Sequence, residues 1–204
     1  MKPETAFHEG LEDIIAAESS ICLIDGKNST LAYRGYDIHE LTERSNFEET
    51  VYLLLVGKLP TAREIQDLKA QIAPERGLPE GVVRLLGTFP KDANPMAVLR
   101  SAVSVLAFFD AESEDKSAEA NFRKALKLIA KVPTIVAYFD RMRRGLDLVA
   151  PKKEASWSDA RNFLTMLRGK EASAVENQML DKYFILLAEH DLNASTFAAR
   201  IAAS

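Results

Sequence analysis

The run Asp37-Ile38-His39-Glu40-Leu41-Thr42-Glu43-Arg44-Ser45-Asn46-Phe47-Glu48-Glu49-Thr50-Val51-Tyr52-Leu53-Leu54-Leu55 decides the fold class, because the apolar period changes there. Ile38 and Leu41, then Phe47, Val51, Leu54 and Leu55, fall at the three- and four-residue spacings of an inward-facing helical stripe. Upstream the pattern is different. Residues 20–26 and 29–35 are β-prone runs around a Gly-Lys-Asn turn, which predicts a small hairpin over about 20–35 with the β content ending at Gly35. From about residue 37 onward the chain reads as helix after helix, so the expected fold is mainly α with a small N-terminal β-hairpin.

Capping residues punctuate the helical part. Thr61 and Glu64 form a capping box for a helix through about Ile72, entered by Leu59-Pro60 and closed by Pro74. A helix follows from Pro79 to about Leu86, and Asn94-Pro95 opens another through about Phe109. Ala97, Ser101, Ala102, Ser104 and Ala107 on that helix let a second helix approach closely. Residues 110–115 are acidic and read as a solvated loop. Pro133 is expected to divide the helical stretch 117–144 in two, because proline lacks the backbone donor. Ser156 or Ser158 caps a helix to Leu167 that Gly169 ends; the next, 175–189, is apolar nearly all round from Tyr183 to Ala188, as in a core helix. The final helix, from Ala194, carries no stop signal, so the chain is expected to stop inside it.

Composition excludes several classes. At 204 residues one compact domain, or most of one, is the default. A net charge of -4 with scattered basic residues gives no field for nucleic acid, and no run approaches a membrane span. The lone Cys22 sits in an apolar run and reads as a small core residue of a reducing, cytoplasmic setting. Neither a Gly-rich phosphate loop nor a Cys/His metal spacing occurs.

Residues 188–200, Ala-Glu-His-Asp-Leu-Asn-Ala-Ser-Thr-Phe-Ala-Ala-Arg, carry the candidate site. Asn193 is a good N-cap, so free N–H groups of the following turn lie near His190. A helix N-terminus favours an anion, and an imidazole beside it can donate to a carboxylate or carbonyl oxygen. The plainer alternative is a hydrogen-bonded structural histidine. His8 and His39 sit in polar surroundings and read as surface residues. Arg141, Arg143 and Arg144 offset a helix C-terminus, although such a cluster could also meet a phosphate. No acid–base pair for catalysis emerges, and Ser195, His190 and Asp191 lie too close in sequence to align as a relay.

In order and spacing, several blocks resemble the N-terminal portion of citrate synthase. They are residues 10–12 with 16–21; Ile24-Asp25-Gly26; Tyr33-Arg34-Gly35-Tyr36-Asp37-Ile38; Phe47-Glu48-Glu49 with Tyr52-Leu53-Leu54; Gly57-Lys58-Leu59-Pro60; Pro95-Met96; residues 129–134; Asn162-Phe163-Leu164 with Met166-Leu167; and residues 188–200. The resemblance implies a homodimeric, or higher homo-oligomeric, acyltransferase of large and small domains. That enzyme condenses acetyl-CoA with oxaloacetate and water to citrate and CoA, the first step of the tricarboxylic acid cycle. It uses no cofactor, acetyl-CoA being a substrate. By motif position His190 is implied to contact oxaloacetate, with Asn193 on the same wall; no CoA-binding residue is identified. Leu187 stands where family members often carry another histidine. The family's enolising histidine, carbonyl-polarising histidine, catalytic aspartate and oxaloacetate-clamping arginines fall beyond Ser204, as does the small domain. Residues 1–204 are therefore expected to be most of a large domain, inactive alone, with helices 94–109 and 194–204 at the dimer face. Two alternatives stand beside this: a 2-methylcitrate synthase acting on propionyl-CoA, and a non-catalytic helical assembly module.

Overall fold

The computed structural model describes residues 18–203. Strands β1 (Cys22–Asp25) and β2 (Thr30–Tyr33) pair antiparallel as expected, with Cys22 opposite Tyr33 and Asp25 opposite Thr30. The Asp25 carboxylate accepts from the Lys27 and Asn28 N–H groups and shapes the turn. The β content runs past Gly35: a third strand, β3 (Tyr36–Asp37), folds back on β2. Arg34 and Gly35 both take positive φ, 51° and 87°, and make this second reversal. Only the residue type of Gly35 signalled it.

Nine α-helices follow among the described residues: α1 (Ile38–Arg44), α2 (Phe47–Val56), α3 (Ala62–Ile72), α4 (Glu80–Thr88), α5 (Pro95–Leu106), α6 (Ala118–Arg143), α7 (Asp159–Arg168), α8 (Ala174–Leu186) and α9 (Ala194–Ala203). The capping box of Thr61 and Glu64 opens α3, Asn94 caps α5, Ser158 caps α7, and Gly169, with φ of 78°, ends α7. Two further capping boxes, Asn46 with Glu49 and Ser173 with Glu176, start α2 and α8.

Pro133 does not divide the long segment. α6 runs unbroken through it. An interior proline costs roughly 3 kcal/mol, but Ala130, Thr134, Ile135, Ala137, Tyr138 and Phe139 around it are all buried. Thr134 also donates to the Arg76 carbonyl at 2.7 Å. At about 0.8 kcal/mol per buried CH₂, this packing outweighs one lost backbone bond. α6 is consequently the central post. One apolar cluster joins it to α4, α5 and α7, and another to α2 and α3. A third, built from Tyr33, Ile38, Leu41, Leu53 and Ile185, binds the hairpin to α1, α2 and α8.

Two further expectations are corrected. α8 is not a core helix in this structure: Ile185 is buried, whereas Val175, Met179 and Tyr183 are more than half exposed. Among the described residues, only the side facing the hairpin, α1, α2 and α7 finds partners, so an all-round apolar sequence leaves an apolar flank outward. The acidic stretch is not merely solvated: Asp110 and Glu112 bond Lys127 of α6 at 2.7 and 3.0 Å, and Arg123 adds to Glu112.

Leu53 is fully buried between hairpin and α8. Leu53→Ala should lower stability by about 2–5 kcal/mol, and Thr61→Ala, which removes one cap, by about 1 kcal/mol. Urea unfolding followed by circular dichroism measures both, and equal losses would contradict the assigned core.

Candidate functional site

The site is a bend between two helices. α8 ends at Leu186, α9 begins at Ala194, and His190 sits exposed between them. The Glu189 carboxylate accepts from the Asp191 N–H at 2.6 Å, and Asp191 turns left-handed with φ of 59°. Asp tolerates that region because its short side chain bonds locally; its carboxylate accepts from the Leu192 N–H at 2.8 Å. Asn193 then caps α9, its side chain accepting from the Thr196 N–H at 2.9 Å and its carbonyl from Phe197 at 2.8 Å. The N–H groups of Ala194 and Ser195 meet no acceptor among the described residues. A helix mouth with two free donors thus opens at the same bend as an exposed imidazole, a combination able to hold an acid oxygen.

A residue from the other end of the chain anchors this bend. Tyr33 is fully buried, and its hydroxyl lies 3.2 Å from both the Leu186 and Glu189 carbonyls, to one of which it donates. The Glu189 N–H approaches the same oxygen at 3.4 Å. Burial pushes the Tyr33 hydroxyl above its ordinary pKa, so it stays a donor at neutral pH. Sequence inspection did not single out Tyr33; the polar atom on an otherwise inward hairpin residue was the available signal. Cys22 borders the same bend. Burial first, and then the Glu189 and Asp191 carboxylates, push its thiol up, which makes it a half-buried thiol and not a nucleophilic thiolate.

The other candidates disperse. His39 is exposed on α1, and His8 lies outside the described residues. The three arginines at the α6 terminus do not converge. Arg141 is buried and donates to the Asp147 and Leu167 carbonyls, while Arg143 and Arg144 pair with Asp140. Leu187, adjacent to the bend, is exposed. The described residues contain no cluster of three His, Cys, Asp or Glu that could hold a metal ion, and no helix long and apolar enough to cross a membrane.

Two cavities bear on ligand choice. One of about 460 Å³ lies behind the bend, lined by Val51, Leu54, Phe184 and Leu187 with Glu189 as its one charged residue, and is too apolar for a dicarboxylate. The other, about 560 Å³, lies between α5 and α6 over Leu106, Phe109 and Leu128. Its lysines are occupied, Lys124 by backbone carbonyls, Lys127 by Asp110 and Glu112, and Lys131 by Glu75.

The fold defines a class: a multi-helical protein with one small antiparallel sheet among the described residues, which presents an exposed imidazole at an open helix mouth. The comparisons narrow it. The family profile described as "Citrate synthase, C-terminal domain" matches residues 10–204. Citrate synthase 2 of Bacillus subtilis is 44% identical over 193 residues, which is 94% of this chain and 51% of that protein. A protein named citrate/2-methylcitrate synthase from the same organism is 38% identical over 204 residues, covering 100% of this chain and 54% of its own. The crystal structure of citrate synthase from Pyrobaculum aerophilum superposes with a TM-score of 0.87 at 39% identity, covering 93% of this chain and 49% of that one. This chain belongs to the citrate synthase family. It spans about half the length of the relatives it matches.

Tyr33→Phe removes only the hydroxyl. It should cost about 1 kcal/mol and speed hydrogen exchange at the amides of 191–193 more than at those of α4. Uniform acceleration across the chain would show that the hydroxyl does not anchor the bend.

Proposed function

We propose that this chain forms the large-domain wall of a citrate-forming synthase, with His190 and Asn193 contacting oxaloacetate. The single observation that carries this reading is the exposed His190 imidazole at the mouth of α9, held by Tyr33 from beneath. In the reaction, the methyl carbon of acetyl-CoA loses a proton and attacks the oxaloacetate keto carbon; hydrolysis of the thioester then yields citrate and free CoA. An N–H of His190 donates to an oxaloacetate oxygen, and the Ala194 and Ser195 N–H groups offer positive dipole to a carboxylate. Besides lining the same wall, Asn193 keeps that helix mouth in place through its cap.

The proton transfers need an acid–base pair converging on the acetyl group. Among the described residues no second histidine shares the bend, since His39 lies on α1. This chain alone is therefore expected not to turn over, and a complete enzyme would assemble as a homodimer through α5 and α9. A propionyl-CoA-using 2-methylcitrate synthase is a second reading, favoured by the relative whose name includes that activity.

An assay of CoA release from acetyl-CoA and oxaloacetate should register no turnover by the 204-residue chain. Oxaloacetate should raise its thermal midpoint, and His190→Ala should abolish that rise. A shift of the same size in both proteins would refute the assignment of His190. Relative rates on acetyl- and propionyl-CoA in a chain of the relatives' full length separate the two synthase readings.

A further inference from the structure

Away from the bend, α2, α7 and the short 3-10 turn Ala73–Arg76 meet around three ionisable side chains that the proposed chemistry does not use. Glu48, Arg76 and Asp159 are 1%, 2% and 3% exposed. Arg76 Nε and Nη2 donate to Asp159 Oδ1 at 3.0 and 2.8 Å, and its remaining donors go to the Lys152 and Trp157 carbonyls. Glu48 Oε1 accepts from the Asp159 backbone N–H at 2.7 Å, which brings a second buried carboxylate to the start of α7. Each has one oxygen engaged and one bare. Glu48 Oε2 and Asp159 Oδ2 are buried and meet no hydrogen-bond donor among the described residues.

Charge balance makes this arrangement costly with every group ionised. Two buried carboxylates face one guanidinium, leaving one uncompensated negative charge in a medium where an unpaired ion is worth several kcal/mol of penalty. Asp181 of α8, half-buried and accepting from the Phe47 N–H at 3.3 Å, adds negative potential from a third element. From α3, Lys69 contributes a positive field that acts on both aspartates. Lys182, beside Asp181, is directed instead to the Thr42 carbonyl.

We propose that Asp159, buried beside Glu48, holds a proton in mildly acidic solution, and that its release loosens the joint where α2, α7 and α8 meet. A proton on the bare Asp159 Oδ2 neutralises the surplus charge, while Oδ1 stays on Arg76. The titration behaviour agrees with the geometry. Burial, then the Glu48 charge, push Asp159 up to about 6, and burial followed by Glu48 does the same for Asp181. A carboxyl whose folded pKa is raised binds more protons folded than unfolded. Its contribution to stability therefore falls as pH rises from the ordinary aspartate range through about 6, and is flat above. Because α8 leads directly into the His190 bend, the same proton tunes how firmly that bend is carried.

Glu48→Gln is the discriminating variant. It keeps an acceptor for the Asp159 N–H, removes the surplus charge and places an amide donor beside the bare Asp159 oxygen. Between about pH 5 and pH 8, the wild-type chain should lose several-fold, and at most about tenfold, more of its folding equilibrium constant than Glu48→Gln. The difference should persist in an Asp181→Asn background, which separates the pair from Asp181. Parallel pH curves for wild type and Glu48→Gln would overturn the proposal. Should the variant not fold, carboxyl-carbon NMR of the wild-type chain decides. The Asp159 carboxyl must titrate at about 6, and its ionisation in the ordinary aspartate range would equally overturn it.

Discussion

The guanidinium of Arg76 is the interaction on which the rest of the molecule depends. It is almost wholly buried, and its partners come from three places: the Asp159 carboxylate opening α7, and the Lys152 and Trp157 carbonyls of the loop before it. A buried guanidinium missing those partners costs several kcal/mol, so loop, turn and helix form together or not at all. Trp157, fixed by its backbone, lies under Arg161 at 3.9 Å and Lys152 at 5.6 Å from the ring centroid. An aromatic face receives each cation, and the irregular segment between α6 and α7 gains an ordered course without secondary structure of its own.

From this joint the placement of the bend follows in two steps. α7 and α2 offer Phe163 and Phe47 to Phe184 of α8, with ring centroids 6.2 and 5.1 Å away. That seats α8 along one side, and Tyr33 of the hairpin then fastens its C-terminal end. The hairpin is therefore structural support for the site, although it lies about 150 residues upstream. Its half-buried Cys22 thiol, kept protonated by burial and by two neighbouring carboxylates, suits that supporting part.

Much of this was legible from local chemistry. Thr61 with Glu64, Asn94-Pro95 and Ser158 name their own helix starts because each supplies a side-chain acceptor to a free N–H. His190 before Asn193 was legible in the same way, as an imidazole next to a cap. What escaped depends on contacts between distant segments. Pro133 reads as a break until Thr134 and its buried neighbours are seen to hold α6 together. Glu48 looks like any acidic residue of a first helical turn, and its partner lies 111 positions away. Apolar residues on all sides of α8 suggest deep burial, and nothing local says that only one side has neighbours.

The Tyr33 hydroxyl meets the Leu186 and Glu189 carbonyls across 153 and 156 positions of sequence. At translation speeds of about 5–20 residues per second, the tyrosine leaves the ribosome roughly ten to thirty seconds before its acceptor exists. Through that interval the Tyr33 hydroxyl has water as its partner, and the hairpin lacks the helix end that later covers it. Any pause in synthesis between the two residues lengthens the time for which the inner face of the hairpin stays uncovered.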